Sequence, residues 1–537
     1  MSQNIQTADY VVVGAGSAGA ALARRLADSG AEVLLVEAGG SNRSALVGVP
    51  GMMGAMHGVP RLQQTVTWQP RTEPQPEAAD RRISQMHGRG LGGGSAVNGM
   101  IFARGHRSNY DGWASDGCTG WAYDDVLPIF RRLERFEDGA SEFRGGDGPI
   151  GVSRARNVSP VTESFLDAVA ATAGVQRDRD YNAAEQEGAS PAQLNVWAGR
   201  RQSAGHAYLH DAPANLRVKT GSQVTKVVIE RGRATGIEVV AGRRVERIGA
   251  RQEVLLSSGS FRSAQLLMLS GVGPASHLRE HGIAVEADLP VGDNLQDHVV
   301  LPLVFNATRG RVVTPRTFLS ALVREKIRPD STFMGRSYVE GIAHVRSTYA
   351  DDRPDLQLFA LPHGQRGEDA SNPGTHPDVE GPAFTVFAVL LNPRSRGTVR
   401  LASTDPSVSP MINPHYLSEP ADVDVLVSAV ALVREIMDHP RITREIRTEL
   451  APGVKVTGRD AIRNDVRQRI SSVYHPVGTC RMGADDRSVV DPQLRVRGID
   501  GLRVVDASVM PTIPGGNTNA PAIMIGERGA DLIGGRP

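Results

Sequence analysis

The sequence has 537 residues, with 60 lysines and arginines against 59 aspartates and glutamates, and a net charge of +1. A nucleic-acid-binding protein normally carries a basic excess that neutralises phosphates, so this balance argues against such a partner. Hydrophobic residues make up 40% and charged residues 22% of the chain, as is typical of a globular protein with a large core.

The cysteine count and the hydropathy exclude further classes of protein. Two cysteines, Cys118 and Cys480, cannot form a disulfide framework, and no zinc-site spacing occurs. The first ten residues lack the basic and apolar stretches of a secretory signal, and no run of about 18 apolar residues is present. We therefore expect a cytoplasmic protein without a bound metal or a membrane span.

The N-terminal segment predicts a strand–helix–strand unit that binds a dinucleotide. A β-branched run over 9–13 leads into Gly14-Ala-Gly16-Ser-Ala-Gly19, a helical stretch follows, and 32–37 forms a second strand. The glycines allow a tight turn, a close approach of backbone to a pyrophosphate, and close helix–strand packing. The predicted cofactor contacts are Gly14, Gly16, Ser17, Ala18, Gly19, Glu37 and Ala38.

Within this unit, Glu37 ends the second strand, where it can accept a hydrogen bond from a ribose. The motif does not distinguish NAD from FAD. A glycine-rich turn in another kind of α/β protein is the alternative.

A second glycine-rich segment lies between residues 87 and 111. Three glycines, Gly92 to Gly94, precede Ser95 and Asn98 and would offer backbone N–H groups to another part of a large cofactor, with a surface loop as the alternative. The segment resembles the first signature of the glucose–methanol–choline (GMC) oxidoreductases, with these residues in register: Gly88, Arg89, Gly92, Gly93, Asn98, Phe102, Gly105 and Asp111.

Later segments extend this resemblance along the chain. Residues 259–273 resemble the second family signature, 291–298 are similar to a flavin-contacting block, and 474–483 with 515–521 resemble the catalytic end. The matches follow the family order from residue 9 to about residue 533. The resemblance implies FAD rather than NAD as the cofactor.

The resemblance also implies how FAD is held. Some family members bond the flavin to a histidine just before the position of Asn98, whereas Val97 has no nucleophile, so we expect non-covalent FAD. The remaining expected cofactor contacts are Arg89, Gly93, Gly94, Asn98, Gly99, Val224, Asp506 and Asn517.

The C-terminal motifs carry the expected catalytic residues. Alcohol oxidation needs a base for the hydroxyl proton, and histidine suits this role because its ordinary pKa is about 6.5. By resemblance, His475 falls on the base and Asn519 on the partner that hydrogen-bonds the substrate oxygen. The alternatives are a structural role for His475 and an N-cap role for Asn519 before the final helix, for which Asn517 competes.

Candidates for substrate contact lie beside the catalytic histidine and on a predicted strand over 355–360. Val473 would lie on the same side as His475 if the segment is extended. Gln357 and Phe359 alternate on the strand and could face the pocket or the core.

Two further features of the middle of the chain are assigned to the pocket. His363 and Gln365 follow the predicted strand and could meet a hydroxylated substrate. Residues 306–337 are irregular and arginine-rich, and we interpret them as a loop over the entrance.

These patterns predict an α/β fold, in which a Rossmann-like FAD-binding domain joins a second α+β substrate domain built on an antiparallel sheet. The expected FAD-binding domain is discontinuous, with segments 1–155, 210–305 and 465–537. The expected substrate-binding domain comprises 156–209 and 306–464.

The expected function is FAD-dependent oxidation of an alcohol to the aldehyde or ketone. The resemblance implies hydride transfer to flavin N5, with a primary alcohol of a hydroxylated or aromatic small molecule as substrate, and with oxygen or a quinone-type acceptor. A non-redox lyase that keeps FAD and a non-catalytic flavoprotein are the alternatives.

Overall fold

The computed structural model describes residues 6–242, 244–308, 315–328, 332–364 and 381–535. Its α-helices, in chain order, are α1 (Ser17–Asp28), α2 (Ala45–Gly48), α3 (Met53–Gly58), α4 (Pro60–Val66), α5 (Arg107–Ser115), α6 (Tyr123–Leu133), α7 (Pro160–Ala173), α8 (Ala204–Leu209), α9 (Gly259–Leu269), α10 (Ala275–Glu280), α11 (Pro315–Ile327), α12 (Pro420–Asp438), α13 (Arg459–Arg469) and α14 (Asn519–Ile533).

The strands, in chain order, are β1 (Gln6–Val13), β2 (Val33–Val36), β3 (Thr67–Trp68), β4 (His87–Gly88), β5 (Glu134–Phe136), β6 (Ile150–Arg154), β7 (Gly188–Pro191), β8 (Gln193–Leu194), β9 (Val196–Trp197), β10 (Arg200–Arg201), β11 (Leu216–Lys219), β12 (Gln223–Glu230), β13 (Arg233–Ala241), β14 (Arg244–Leu256), β15 (Val272–Gly273), β16 (Ala287–Asp288), β17 (Val299–Ala307), β18 (Gly341–Val345), β19 (Leu356–Leu361), β20 (Ala383–Leu390), β21 (Thr398–Arg400), β22 (Met411–Asn413), β23 (Ile446–Ala451), β24 (Ser471–Ser472) and β25 (Leu502–Val504).

The first sheet is parallel at its centre. Its strand order is β11-β2-β1-β14-β13-β12, and β25 also pairs with β14. The pairs β11–β2, β2–β1, β1–β14 and β14–β25 are parallel, while β13 and β12 are antiparallel. All four residues of β2 are buried, as expected for a parallel strand covered on both faces. The strand–helix–strand unit of β1, α1 and β2 has the predicted form.

Helices α1 and α14 pack closely together beside this sheet. A Cβ added to Gly526 of α14 would lie 2.3 Å from the carbonyl oxygen of Ala18 in α1, so the two backbones meet directly. The buried carboxylate of Glu527 accepts hydrogen bonds from Arg25 of α1 and from Arg132 and Tyr208. These contacts hold the middle of α14 against α1, and the first residues of α14 line the cavity.

The second sheet is antiparallel, with the strand order β23-β17-β20-β19-β18-β7 and β24 also paired with β17. Alternate residues of its strands face two different cores. One face packs on α7 and α12 through residues such as Leu301, Leu358 and Phe384. The other face contributes Val300 and Phe359 to an apolar cluster that also contains Val97 of the glycine-rich segment. The second face is therefore directed towards the cofactor half of the molecule.

The structure confirms the predicted fold class and changes two local assignments. The domain boundaries predicted from the sequence place most of β17 and all of β24 in the FAD-binding domain. In the structure, both strands pair within the second sheet. Residues 315–327, predicted as part of an irregular loop, form helix α11. In the part of the chain that the structure describes, no helix is both long enough and apolar enough to cross a bilayer.

Candidate active site

A large cavity lies between the two sheets and connects the N-terminal glycine turn to His475. It occupies about 2650 Å³, including the part that is open to solvent. One end is lined by the glycine turn, Glu37 and Val224 of the first sheet, and the other by His475 and strands of the second sheet. A long ligand that enters this cavity can therefore touch both predicted motifs.

The glycine turn is shaped by close backbone contacts. Gly14 has φ of +99°, and a Cβ there would lie 2.5 Å from the carbonyl oxygen of Ser257. A Cβ on Gly19 would lie 2.0 Å from the carbonyl oxygen of Gly14, so the first turn of α1 rests on the loop. Gly16 is the N-cap of α1 and has no side-chain cap, which leaves first-turn N–H groups for an anionic ligand.

The predicted ribose acceptor, Glu37, is held by backbone donors. Its carboxylate accepts hydrogen bonds from the N–H groups of Ala15, Gly39 and Gly90 at 2.9, 2.7 and 3.0 Å. These bonds tie the glycine turn, the end of β2 and the second glycine-rich segment together. Because a carboxylate offers about four acceptor positions, it retains capacity for a ribose hydroxyl.

The second glycine-rich segment touches the first. Gly93 has φ of +48°, and a Cβ on it would lie 2.8 Å from Cα of Gly16. Gly94 and Gly99 also line the cavity, and a Cβ on Gly94 would meet no atom within 4 Å. The segment therefore offers exposed backbone beside the glycine turn.

A buried arginine that the sequence reasoning missed, Arg201, anchors this segment. It donates to the carbonyl oxygens of Val47, Ser95 and Asn98, and to Oδ1 of Asn98. Burial lowers the pKa of Arg201 to about 10. Nothing in the sequence around Arg201 marked it, because its partners are backbone carbonyls more than 100 positions away.

The catalytic candidate His475 belongs to a directed chain of hydrogen bonds. Its Nδ1 lies 3.0 Å from Nδ1 of His298, whose Nε2 lies 3.0 Å from the carbonyl oxygen of Leu391. A carbonyl can only accept, so His298 carries its proton on Nε2 and its Nδ1 accepts from Nδ1–H of His475. The amide of Asn517 donates to Nε2 of His475 over 3.2 Å. Neutral His475 thus presents an unprotonated Nε2 beside Asn517 in the cavity.

Burial keeps both imidazoles neutral. It lowers the pKa of His475 well below its ordinary value, and the neighbouring His298 lowers it further. Burial also lowers the pKa of His298 to about 4. The backbone N–H of His475 donates to Asp297 at 2.8 Å, and Asp297 also accepts from the hydroxyl groups of Ser472 and Tyr416. The position of the His475 imidazole is therefore fixed through both its backbone and its ring.

The structure places Asn517, not Asn519, against His475. Asn519 is the first residue of α14; its Oδ1 accepts from the hydroxyl of Ser17 at 2.7 Å and its amide donates to Asn195 at 3.3 Å. Both ends of the Asn519 side chain are therefore engaged beside the glycine turn. This geometry does not support Asn519 as the substrate partner, because the loop before α14 turns the side chain two residues earlier towards His475.

Most of the other predicted cofactor contacts line the cavity, and Arg89 does not. Ser17, Ala18, Ala38, Asn98, Val224 and Asp506 line the cavity. Asp506 accepts from the N–H groups of Gly259 and Ser508 and from the hydroxyl of Ser263, while burial raises its pKa. Arg89 does not line the cavity; its guanidinium carbon lies 4.5 Å from the ring centre of Trp68.

Of the predicted substrate contacts, some line the cavity and others do not. Val473 and Phe359 line the cavity. Gln357 is fully buried and its amide lies 2.8 Å from Nε2 of His344, so it faces a polar contact inside the second sheet instead. The ring of His363 packs against Tyr338, and Gln365 lies outside the described residues.

The residues present fit FAD. The uncapped N-terminus of α1 and the open space at Gly94 suit a pyrophosphate, and Glu37 suits a ribose. Val97, at the position where covalent attachment would occur, is buried and carries no nucleophile. FAD therefore fits between the glycine turn and His475, with the cavity around His475 free for a substrate.

Comparison with known proteins agrees with this geometry. The GMC oxidoreductase family models match residues 8–300 for the N-terminal part and residues 393–526 for the C-terminal part. An oxygen-dependent choline dehydrogenase of Sinorhizobium medicae is 39% identical over 98% of this chain and 96% of its own length.

Solved structures show the same fold along the whole chain. Pyridoxine 4-oxidase from Mesorbium loti has a TM-score of 0.87 and 29% identity, covering 98% of this chain and 99% of its own. A fungal aryl-alcohol oxidase has a TM-score of 0.81 and 26% identity, covering 98% of each chain. The protein belongs to the GMC oxidoreductase family, whose members use FAD, and it is an enzyme that acts on CH–OH groups.

Proposed function

We propose that this enzyme oxidises a primary alcohol to the aldehyde, with His475 as the general base and Asn517 as the hydrogen-bond donor to the substrate oxygen. The observation that carries the proposal is the chain from Asn517 through His475 and His298 to the carbonyl of Leu391. Its direction leaves Nε2 of His475 unprotonated, and the lone pair there accepts from the Asn517 amide, which an alcohol hydroxyl can replace.

Bound FAD supplies the acceptor for the carbon-bound hydride. The chain's own residues handle the oxygen and the proton. An alcohol hydroxyl that replaces the Asn517 amide at Nε2 of His475 can give its proton to that nitrogen, and the freed amide can then donate to the substrate oxygen. The lowered pKa of His475 keeps the base unprotonated before this step.

The proposed FAD contacts follow from the cavity lining. Glu37 would accept from the adenosine ribose, the turn from Gly14 to Gly19 would hold the pyrophosphate, and residues 93–99 would contact the flavin half. Ser17 and Asn519 form a bonded pair at the start of their helices, which would fix the glycine turn against α14. Asp506 and Val224 line the same region, so both are retained as cofactor contacts.

The electron acceptor is proposed to be oxygen or a quinone-type carrier, and the cytoplasm is the expected compartment. Relatives support this class of reaction, since their names include an oxygen-dependent choline dehydrogenase, a pyridoxine 4-oxidase and an aryl-alcohol oxidase.

Anaerobic titration of the purified holoenzyme tests the proposal. The oxidised-flavin absorbance would be recorded while aryl alcohols, polyols, sugars, aminoglycosides and choline are added in turn. We expect at least one alcohol to remove this absorbance, and air to restore it within the turnover time if oxygen is the acceptor. A bound flavin that none of these alcohols reduces would contradict the proposal and favour a lyase.

A further inference from the structure

A charged side chain that the sequence reasoning did not select, Arg262, lines the cavity from the first turn of α9. Its guanidinium carbon lies 4.4 Å from the ring centre of Trp68, and that of Arg89 lies 4.5 Å from the centre of the same ring. Trp68 and Arg262 line the cavity, whereas Arg89 does not. Of the two arginines on this ring, Arg262 is therefore the one that faces a ligand in the cavity.

Part of the Arg262 guanidinium has no acceptor within the protein. Its Nη1 donates to Oε1 of Gln265 at 2.8 Å and to the carbonyl oxygen of Pro406 at 3.3 Å. Its Nε is buried and has no hydrogen-bond partner among the described residues, and Nη2 has no acceptor there either. A guanidinium carries five N–H groups in a fixed planar fork, so Arg262 keeps donors for a further acceptor.

The positive charge of Arg262 also lacks a counter-ion in the described part of the chain. No carboxylate there pairs with it, and burial, followed by the charge of Arg89, lowers the pKa of Arg262 to about 10. The acidic side chains that line the cavity, Glu37 and Asp506, are each bonded to three other protein donors. Because a buried charge without a counter-ion is unfavourable, this position favours an anionic ligand.

Hydrogen bonds connect Arg262 to the end of the cavity that holds Glu37. The carbonyl oxygen of Pro406 accepts from Arg262 and also from the side-chain amide of Gln223 at 3.0 Å. Gln223 begins β12, and the N–H of the preceding Ser222 donates to the carbonyl oxygen of Glu37 at 3.0 Å. All of these residues line the cavity. Arg262 therefore lies on the side of the cavity that we assign to the adenosine ribose.

Another arginine that lines the cavity, Arg81, lies beside the second sheet. Its guanidinium donates to the carbonyl oxygens of Arg467 and Ile470, and Ile470 directly precedes β24. Of these two cavity arginines, Arg262 is therefore the one on the side of Glu37.

We infer that Arg262 binds the adenosine diphosphate half of FAD, and that Arg89, which the sequence predicted as a cofactor contact, does not. The two phosphates of this half supply negative charge, and arginine forms strong charge-assisted hydrogen bonds to phosphate oxygens. The inference rests on the FAD contacts of the proposed function and adds to them a residue outside both glycine-rich segments.

The affinity of the holoenzyme for FAD tests this inference. Wild type and variants are diluted as holoenzymes, and the free FAD is separated by ultrafiltration and measured by its fluorescence. We expect Arg262→Leu to raise the Kd for FAD by at least about tenfold. Arg89→Leu removes the other guanidinium from the same indole ring without changing the cavity lining, so its Kd should stay within about threefold of the wild type. An unchanged Kd in Arg262→Leu, or a larger increase in Arg89→Leu, would overturn the inference.

Competition by ADP identifies the part of the cofactor that Arg262 contacts. ADP contains the adenosine and both phosphates but lacks the flavin, so it displaces FAD through the adenosine diphosphate half of the site. We expect Arg262→Leu to raise the inhibition constant of ADP by about the same factor as the Kd for FAD. A raised Kd for FAD with an unchanged inhibition constant for ADP would place Arg262 against another part of the cofactor and overturn the inference.

Two polar variants cover the case in which Arg262→Leu does not fold. Arg262→Gln keeps an amide donor but loses the charge, and it should raise both constants in the same way. Arg262→Lys restores the charge without the planar fork, so it should bind FAD more tightly than Arg262→Gln. Wild-type affinity in Arg262→Gln, or weaker binding by Arg262→Lys than by Arg262→Gln, would overturn the inference.

These binding measurements use no alcohol, so they separate the inference from the proposed function. If the Kd values change as expected and no alcohol reduces the flavin, the inference is supported and the proposed function fails. If alcohols reduce the flavin and Arg262→Leu binds FAD as tightly as the wild type, the inference fails and the proposed function is supported.

Discussion

Replacement of His298 by leucine tests the role of the imidazole pair. The change removes the acceptor of Nδ1–H of His475, which lies 3.0 Å from Nδ1 of His298 in a buried site. A buried donor without a partner costs about 1–3 kcal/mol. His475 can avoid this cost by moving its proton to Nε2, which removes the lone pair that accepts the substrate proton.

The expected result is a loss in the reductive step. If the whole cost falls on the reacting state, the rate of flavin reduction by benzyl alcohol drops by about 5- to 150-fold, because 1.36 kcal/mol corresponds to a factor of ten. KM and FAD content should change little, since His298 does not line the cavity. Anaerobic stopped-flow absorbance at saturating alcohol measures the rate directly.

Two variants control for burial and for geometry. His344→Leu removes another buried imidazole that bonds Gln357 and does not contact His475, so it should reduce the flavin at nearly the wild-type rate. His298→Asn keeps an acceptor oxygen and should recover part of the loss. Flavin reduction at the wild-type rate in His298→Leu, or equal slowing in His344→Leu, would contradict the role assigned to the imidazole pair.

Three further predictions concern the two asparagines before and in α14, the glycine turn and the buried His344. Asn517→Ala should slow flavin reduction, measured by stopped flow, by roughly 10- to 150-fold, whereas Asn519→Ala should chiefly lower the flavin content of the purified protein. The opposite pattern would favour Asn519 as the partner of the substrate oxygen, as the sequence predicted. Gly19→Ala should abolish FAD retention, because the added Cβ would lie 2.0 Å from the carbonyl oxygen of Gly14. Gly112→Ala is the control and should retain FAD, because its Cβ would meet no atom within 4 Å. Equal flavin content in the two variants would contradict this prediction. Burial lowers the pKa of His344 to about 3, so the unfolded state binds the extra proton in acid. The free energy of unfolding of the wild type, measured in urea relative to that of His344→Leu, should therefore fall by about 1.4 kcal/mol for each unit by which the pH is lowered from 6 to 4. A difference between the two proteins that stays constant over this range would contradict the lowered pKa.

Local patterns predicted the cofactor half of the fold well. The strand–helix–strand unit was predictable because its glycine motif is a local pattern. Gly19 packs on the backbone of Gly14, five residues earlier, and Gly14 packs on the backbone that directly follows the adjoining strand β14. Strand β19 was also found where the strand over 355–360 was predicted. These elements carry their own periodic signal.

Contacts between distant segments explain what sequence reasoning missed. Asn517 and Asn519 lie two residues apart in one glycine-rich loop, and only the path of that loop decides which side chain meets His475. Arg201 donates to backbone carbonyl oxygens, and because every residue has one, the sequence does not mark the partners of this arginine. The placement of β17 in the second sheet depends on strand partners that come later in the chain.

The role of His475 is tested most directly by the rate of anaerobic flavin reduction in His475→Ala compared with the wild type, with benzyl alcohol as the reductant. We expect the variant to fold, to retain FAD and to be reduced about 10²- to 10⁴-fold more slowly, which is the usual contribution of a general base. Reduction of the variant at the wild-type rate, with the same flavin content, would contradict the assignment of His475 as the base.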